Sequence, residues 1–281
     1  IVISYSGDEN HTDAYYKGLI VTEKIKDYTL LVNATQIITV LDTNVITVTI
    51  PKGIEGNVHI YINGQPYPFA PVNPATGKAT FTLPRLASGT YNVTASFSND
   101  VYDEVENTTN FTVIKLNTTI KVDVENITKD LTEIINVTVN STAGGYVYID
   151  IIYEDGEVVT FRADVEVGVA SLVRSNIRDG NYTVVATYMG DNIFNQNSTT
   201  AKFTVSKIPV NITITAKDIV IGQEANFTIN TSRPITDQVT VRIGNRNYTA
   251  ILYNGVGTLM VLGQNIGTHN VTVIYEGDDD Y

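Results

Sequence analysis

The sequence of 281 residues lacks cysteine and tryptophan and is poor in basic residues. Without cysteine the chain has no disulfide, no thiol nucleophile and no cysteine-ligated zinc. That absence does not place the protein inside the cell, because surface domains with large enough cores fold without disulfides. Only 18 Lys and Arg stand against 30 Asp and Glu, a formal net charge of −12. Nucleic-acid binding requires clustered cations and is therefore excluded, and an anionic membrane surface is disfavoured for the same reason.

Long apolar runs and catalytic signatures are also missing. No run approaches the roughly 18 apolar residues of a membrane span, so we expect no membrane insertion in this segment, and the sequence does not open on a signal peptide. His11, His59 and His269 have no partner histidine at metal-binding spacing, and no nucleophile elbow, phosphate loop or zinc-binding helix motif occurs. We therefore predict that the chain is not an enzyme and has no catalytic residue. Hydrophobic residues make up 43% of the chain, which is enough for packed cores.

The sequence does contain one motif that occurs four times. It reads GTYNVTASFSND at Gly89–Asp100, GNYTVVATYMGD at Gly180–Asp191, GTHNVTVIYEGD at Gly267–Asp278 and, shortened at its front, IVISYSGD at Ile1–Asp8. The copies lie about ninety residues apart, which is the size of a small domain rather than of a solenoid repeat. Each copy is therefore expected to belong to a separate domain with its own core.

Short strands with alternating apolar and polar residues fill each period. From Ile135 to Val139, for example, every second residue is apolar, which is typical of a sheet with one buried face. About seven such strands per domain, with almost no helical pattern, predict an all-β chain of tandem immunoglobulin-like antiparallel β-sandwiches. We expect both termini to be cuts from a longer protein. The predicted segments are the last strands of a truncated repeat at 1–25, repeats at 26–116 and 117–207, and a repeat without its final strand at 208–281.

A tyrosine follows the glycine of the motif by two residues in two of the repeats. Tyr91 and Tyr182 lie at the start of the penultimate strand, as does the tyrosine corner of sandwich folds, whose hydroxyl bonds to upstream backbone. We predict this structural role for both residues. His269 replaces the tyrosine in the third repeat, and we expect a weaker or differently bonded corner there.

An acidic loop ends each copy of the motif. Hard cations such as Ca²⁺ bind six to eight oxygens, mostly from carboxylates and carbonyls, so the loops are candidate calcium sites, and calcium is the single cofactor that we consider. A solvated turn is the alternative interpretation, because no copy has the spacing of a known calcium loop. The candidate ligands are Asp100, Asp103, Asp191, Asp278 and Asp279.

Asn-x-Ser/Thr triplets are far more frequent than the Ser and Thr content would give by chance. Of 27 Asn residues, 16 begin such a triplet. As N-glycosylation acceptors they indicate an exported glycoprotein, although the frequency of Thr in strands accounts for part of the excess. We expect several to be used and very few to be buried. The main candidates are Asn92, Asn107, Asn110, Asn117, Asn136, Asn140, Asn181, Asn197, Asn226 and Asn247.

Cysteine-free repeats of this length, each closing with G-x-Y-x-V-x-x-x-Y-x-G-D and rich in Asn, Thr, Val, Ile and Tyr, resemble the Ig-like repeats of large cell-surface adhesin-like proteins, especially those of methanogenic archaea. They are similar in pattern to bacterial Ig-like repeats. The resemblance covers the whole chain, with departures at Ser98–Asp100 and at His269. It implies a secreted, extracellular stalk for cell adhesion at the cell surface. Its implied partners are a protein or glycan on a host or neighbouring cell, or copies of the chain itself.

The linkers between repeats are short and contain few Gly or Ser residues, so we expect them to be semi-rigid and the repeats to form an elongated rod. One alternative function is that of a filament or sheath subunit that assembles by strand pairing. A weaker alternative is carbohydrate binding, in which the rings of Tyr61, Tyr67 and Tyr153 would stack on sugars.

Overall fold

The computed structural model of the protein describes all 281 residues and consists of 24 β-strands joined by turns and loops. None of its elements is a helix with the length and apolarity that a membrane crossing requires. The chain divides into two compact units, residues 1–118 with 190–195 and residues 119–189 with 196–281. The predicted all-β fold is therefore confirmed.

The first unit begins with an antiparallel hairpin followed by the first repeat. In the hairpin, β1 (Val2–Tyr5) pairs with β2 (Ala14–Lys17), and both strands are exposed. The strands of the first repeat are β3 (Leu31–Asn33), β4 (Ile37–Thr39), β5 (Val45–Thr49), β6 (Asn57–Ile62), β7 (Gln65–Pro71), β8 (Lys78–Thr82), β9 (Gly89–Phe97) and β10 (Val105–Ile114).

Two sheets pack face to face in the first repeat. One has the strand order β3-β5-β8 and the other β4-β10-β9-β6-β7, with β4 parallel to β10 and every other pair antiparallel. Alternation decides which side chains are buried: Ile46 and Val48 of β5 are inaccessible, whereas Thr47 and Thr49 between and after them are not. This is the topology of an immunoglobulin-like sandwich.

The strands of the second repeat are β11 (Ile120–Asp123), β12 (Ile127–Thr128), β13 (Glu133–Val139), β14 (Tyr146–Ile152), β15 (Val158–Asp164), β16 (Val169–Arg174), β17 (Gly180–Tyr188) and β18 (Asn197–Ser206). Their order is the same as in the first repeat. The sheets of the second repeat are β11-β13-β16 and β12-β18-β17-β14-β15, again with one parallel pair, between β12 and β18. The short strands β4 and β12, which directly precede β5 and β13, were not predicted from the sequence.

The strands of the third repeat are β19 (Ile212–Ala216), β20 (Ala225–Thr231), β21 (Gln238–Ile243), β22 (Arg246–Tyr253), β23 (Val256–Val261) and β24 (Val271–Ile274). They form one continuous sheet in the order β19-β20-β23-β22-β21-β24. A two-residue turn at Asn254 and Gly255 joins β22 to β23, and both residues have positive φ, 50° and 84°, as a type I′ hairpin turn requires. The sheet folds around a core that includes Phe227, Ile229 and Val241.

Candidate functional site

The acidic loops form part of a contact that recurs before every repeat. We call residues 99–103, 191–195 and 278–281 the junction loops, and we call the contact between each loop and the linker preceding its repeat a clasp. In each clasp the ammonium group of a linker lysine donates to the backbone carbonyl of the first loop residue. The pairs are Lys24 with Asn99, Lys115 with Asp191, and Lys207 with Asp278.

Backbone hydrogen bonds complete each clasp. The residue after the lysine donates its N–H to the third loop residue: Ile25 to Val101 at 2.9 Å, Leu116 to Ile193 at 2.8 Å, and Ile208 to Asp280 at 2.9 Å. In the first two clasps the same linker residue also accepts at 2.9 Å from the fifth loop residue, Asp103 or Asn195. Each linker is therefore held by several bonds, and not by the lysine alone.

The first side chain of each loop fixes the shape of the loop. Its oxygen accepts the N–H groups two and three residues further on, which is the Asx-type turn that Asn and Asp favour. Asp278 Oδ1 accepts from Asp280 at 2.8 Å and from Tyr281 at 2.7 Å. Asn99 and Asp191 make the equivalent pairs of bonds, and Asp8 in the opening hairpin accepts from Asn10.

The first loop begins one residue earlier than the sequence alignment indicates. Asn99, two residues after the last residue of β9, takes the position that Asp191 and Asp278 hold three residues after Tyr188 and Tyr275. Asp100, the aligned acidic residue, is exposed and outside the clasp. The segment between the last residue of β9 and the loop is one residue shorter than the segments that follow Tyr188 and Tyr275, so Asn99, and not Asp100, accepts the loop N–H groups. An amide oxygen accepts such hydrogen bonds as a carboxylate oxygen does.

The carboxylates of these loops do not converge on one point. Asp191 and Asp278 use an oxygen to accept backbone N–H groups, Asp100 and Asp279 are exposed, and Asp103 accepts the N–H of Glu104. No group of three or more His, Cys, Asp or Glu in the structure could hold a metal ion. The donors therefore do not fit the six to eight oxygens of a calcium site, and calcium binding stays an untested prediction.

The electrostatics of the clasp reflect these bonds. The N–H of Tyr281 lowers the pKa of the Asp278 carboxyl, because a carboxylate that accepts N–H groups is stabilised in its charged form. Burial raises the pKa of Tyr275, which directly follows β24, to about 12. In the opening hairpin the Tyr5 hydroxyl, which donates to Asp8 at 2.6 Å, lowers the pKa of Asp8 to about 2. The carboxyl groups of Asp8 and Asp278 are thus charged near neutral pH.

The third residue of two of these loops also touches the repeat before the linker. Ile193 packs against the core of the first repeat, and we call this contact the apolar junction. Asp280 Oδ1 lies 3.0 Å from Nζ of Lys129, which follows β12 of the second repeat; we call this contact the ionic junction. Lys129 also donates to the Asp279 carbonyl at 2.6 Å and lies 3.7 Å from Asp179. Its pKa is raised, chiefly by the hydrogen bond to Asp280.

The Tyr91 and Tyr182 hydroxyls bond to upstream backbone. Tyr91 donates to the carbonyl of Ala87 at 3.0 Å and Tyr182 to that of Arg178 at 2.6 Å, four residues upstream in both cases. His269 makes the equivalent bond from Nε2 to the carbonyl of Asn265 at 2.8 Å. The imidazole therefore reproduces the span of the tyrosine bond, and the corner of the third repeat is bonded in the same direction.

The ten main glycosylation candidates are all accessible to some degree. Eight are exposed, and Asn136 and Asn140, which accept hydrogen bonds through Oδ1, are half-buried. Asn107 already uses its amide nitrogen, which donates to the Leu30 carbonyl at 2.8 Å. A glycan would take one of the two N–H positions of this bonded nitrogen, so Asn107 is the least favourable of the exposed acceptors. Use of the others stays a prediction.

The three tyrosines considered for sugar stacking do not form one platform. Tyr61 and Tyr67 lie in the first repeat, where the Tyr67 hydroxyl donates to the Thr82 carbonyl at 2.9 Å. Tyr153 lies in the second repeat, and the guanidinium of Arg178 sits 4.6 Å from its ring centre. Arg178 thus occupies one face of the ring, and nothing in this arrangement favours carbohydrate over solvent.

The chain resembles several solved tandem-domain structures. It is similar to the tetra-tandem repeat in the extending region of a large adhesion protein, with 22% identity and a TM-score of 0.40, over 84% of this chain and 66% of that one. Immunoglobulin domains 1–5 of Sidekick-1 share 12% identity at a TM-score of 0.30, over 88% of this chain and 58% of theirs. The FN1–FN3 domains of chicken CNTN1 share 9% at 0.27, over 88% and 92%.

No protein-family model matches the chain, and no curated protein does. At the identities and TM-scores of the solved structures, none of these likenesses identifies a function. The class of the protein follows instead from its strand order: it is built from tandem immunoglobulin-like repeats, with a clasp at each linker.

Proposed function

We propose that this chain is a non-enzymatic spacer segment of an extracellular, cell-surface adhesin-like protein, whose repeats hold an attachment function away from the cell. The observation that carries the proposal is the clasp that recurs before each of the three repeats. A free linker would allow neighbouring domains to swing, and a spacer needs the opposite. Three copies of the same linker contact are what a segment selected for restricted bending would contain.

The composition of the clasp suits repetition along a chain. Its acceptors are mostly backbone carbonyls, and its donors are backbone N–H groups and one lysine, so it tolerates changes in the other loop side chains. Lys115 and Leu116, for example, hold a loop that differs from the third loop at three of their four shared positions and is one residue longer. Diverging repeats can therefore keep the same linker geometry.

Accessible glycosylation candidates agree with an exported, glycosylated stalk, as do the acidic surface charges that keep repeats from associating. The partners of the whole protein would be proteins or glycans on a host or neighbouring cell. In this proposal the present segment supplies reach and orientation, and recognition lies in other loops or other domains.

A filament subunit is the second candidate, and one observation favours it. Strand β24 has a partner on one side, β21, and an open cleft of about 560 Å³ lies beside it, lined by residues that include Ile219, Phe227 and Val271. In the first two repeats this edge is covered by β10 and β18, which bury Phe111 and Phe203. A strand that follows residue 281 in a longer protein, or a strand from another copy of the chain, would pair there by the same rules.

Small-angle X-ray scattering combined with light scattering separates the two functions. For the spacer we expect a monomer whose maximum dimension is that of domains in a row, unchanged by EDTA or by added Ca²⁺. Lys115→Met, which removes one clasp donor, should broaden the distribution of dimensions, whereas Lys202→Met on the exposed face of β18 should not. Concentration-dependent multimers would support the filament, and a compact monomer would contradict the spacer.

A further inference from the structure

One buried position differs in chemistry between the three repeats. The position lies directly before β5 in the first repeat and is the first residue of β13 and of β20 in the other two. Its residues are Asn44, Glu133 and Ala225 in turn. The equivalence follows from strand pairing, because Ile46, Ile135 and Phe227, two residues further on, lie opposite Phe81, Leu172 and Leu259. Asn44 and Glu133 are each only 1% exposed. A buried polar side chain needs partners for all its polar atoms.

Asn44 is fully matched by the backbone that it faces. Its Oδ1 accepts the N–H of Thr35 at 3.1 Å, and its Nδ2 donates to the carbonyl of the same residue at 3.0 Å. A side-chain amide offers one acceptor and one type of donor, and the N–H and C=O of Thr35 offer the complementary pair. The side chain and this backbone residue are therefore joined by two hydrogen bonds. The pair fixes the chain between β3 and β4.

Glu133 faces the equivalent residue, Glu125, but makes only one of the two corresponding hydrogen bonds. Glu125 lies three residues after Val122, as Thr35 lies three residues after Val32, and both valines pair with inward residues of the second strand. The N–H of Glu125 donates to Glu133 Oε1 at 3.0 Å, and the buried Oε2 has no hydrogen-bond partner. A carboxylate can only accept, so it matches the N–H of Glu125 but not its carbonyl.

The charged groups around Glu133 do not compensate a negative charge. Glu125 itself is acidic, and Arg174, the cross-strand neighbour on β16, places its guanidinium 4.6 Å from the centre of the Phe161 ring. Further along β11, Lys121 and Asp123 pair with each other at 2.5 Å. Burial, and then the charge of Glu125, raise the pKa of Glu133 against the opposing effect of the Glu125 N–H.

We propose that Glu133 is a neutral carboxylic acid in the folded second repeat and that loss of its proton is a pH switch which loosens the chain leading into β12. In the protonated form the Oε2 hydroxyl donates to the carbonyl of Glu125, which completes the two-bond pair that Asn44 makes with Thr35. After deprotonation, Glu133 Oε2 and the carbonyl oxygen of Glu125 are two acceptors that face each other in a buried site, so one of the two groups has to move away.

The consequence reaches the ionic junction. One residue, Asn126, separates Glu125 from β12, and β12 leads directly to Lys129, which holds the third junction loop. Releasing Glu125 frees the segment that positions Lys129. The first repeat, with Asn44 at the same place, carries no group that titrates there, so the switch belongs to the second repeat alone.

The direction of the pH dependence follows from linkage. A folded-state pKa above the ordinary value of 4.5 means that the native state binds the proton more tightly than the unfolded chain. The stabilisation is complete below that ordinary value and is lost as the pH rises through the folded pKa. Protection of the second repeat should therefore fall on the alkaline side, opposite to the behaviour of an ion-paired carboxylate.

Hydrogen exchange of the whole chain at a series of pH values, corrected for the intrinsic rates, tests the switch. Wild-type peptides covering residues 120–139 should lose protection as the pH rises above 4.5, and Glu133→Gln, whose amide reproduces the bonding of Asn44 at every pH, should keep it. Asn44→Asp is the matched control: it should transfer the same loss of protection to residues 30–50. Identical pH profiles for wild type and Glu133→Gln would overturn the proposal.

A second measurement follows the wild-type protein and uses a variant only to assign one resonance. In wild-type protein labelled with ¹³C at the glutamate carboxyl carbons, the resonance that disappears in Glu133→Gln should titrate with a midpoint above 4.5. A midpoint at or below that value would show that Glu133 is charged in the native state and would overturn the switch, even if the exchange profiles differed.

Discussion

The apolar and the ionic junction place different side chains at the same position of a junction loop. Ile193 and Asp280 both lie two residues after the aspartate that caps their loop. Ile193 packs against an apolar core, whereas Asp280 pairs with Lys129 at 3.0 Å. The lysine bond and the bond from the N–H of the next residue are thus the same in all three clasps, and the side chain at the tip of the loop is the part that varies.

The difference in chemistry predicts a difference in response to the solvent. An apolar contact does not depend on salt or pH in the neutral range. In the ionic junction the side chain of Lys129 is 18% exposed, but that of Asp280 is 65% exposed, so its attraction is largely screened by salt. We therefore expect one junction that holds in all ordinary conditions and one whose strength follows ionic strength.

The largest expected effect comes from a charge at the apolar junction. Ile193→Asp should lower the free energy of unfolding of the first repeat by about 2 kcal/mol, because it removes a partly buried aliphatic side chain and places a carboxylate against the core. Urea unfolding of the whole chain, with exchange protection of the first repeat as the reporter, measures the loss.

Val101→Asp is the matched control for that substitution. Val101 occupies the same loop position in the first clasp and is 55% exposed, so its replacement should change stability by less than about 0.5 kcal/mol. Equal losses for the two variants would mean that the Ile193 contact is not what stabilises the first repeat.

The sequence indicated the loops but not the clasp, and the reason is physical. Acidic residues recur visibly at the motif ends, whereas the acceptors of Lys24, Lys115 and Lys207 are backbone carbonyls, which every residue possesses. The spacing of a Lys-Ile or Lys-Leu pair before each repeat is the signal that could have found it. Asn99 was missed because a one-residue deletion moved the capping position away from the aligned Asp100.

The fold was more predictable than the site because alternation directly reports burial. Strand β13 is buried at every second residue, as its sequence indicates, and the hairpin turn at Asn254 and Gly255 follows from residues that accept positive φ. The short strands β4 and β12 left no comparable pattern. They are defined by parallel pairing with the last strand of their repeat, a long-range contact that local periodicity does not encode.

Removing the cation of the ionic junction should have a smaller effect. Lys129→Met leaves Asp280, Asp179 and the Asp279 carbonyl without their shared donor, and we expect a loss of about 1 kcal/mol at low salt. Thermal unfolding at 20 mM and at 1 M NaCl measures this loss. The screening length is about 10 Å at 0.1 M salt, so the ion pair is weakly screened at the lower concentration and strongly screened at the higher one. At the higher concentration wild type should approach the variant.

Lys121→Met provides the comparison for Lys129→Met, since Lys121 also pairs with an aspartate but is 72% exposed. Its loss should stay below about 0.5 kcal/mol at either salt concentration. If both lysines behaved alike, the ionic junction would be an ordinary surface pair and would contribute nothing specific to the linker.

The smallest expected effect separates the Asn and Asp clasps by acid. The lowered pKa of Asp278 means that its carboxylate stabilises the third clasp above the ordinary value of 3.8 and that this contribution is lost as the pH falls through the folded pKa. The first clasp has the amide of Asn99 in the same place and should not respond. Exchange protection of residues 278–281, relative to 99–103, should therefore fall below pH 3.8 in wild type and stay level in Asp278→Asn, whereas acid loosening that persisted in this variant would place the titrating group elsewhere.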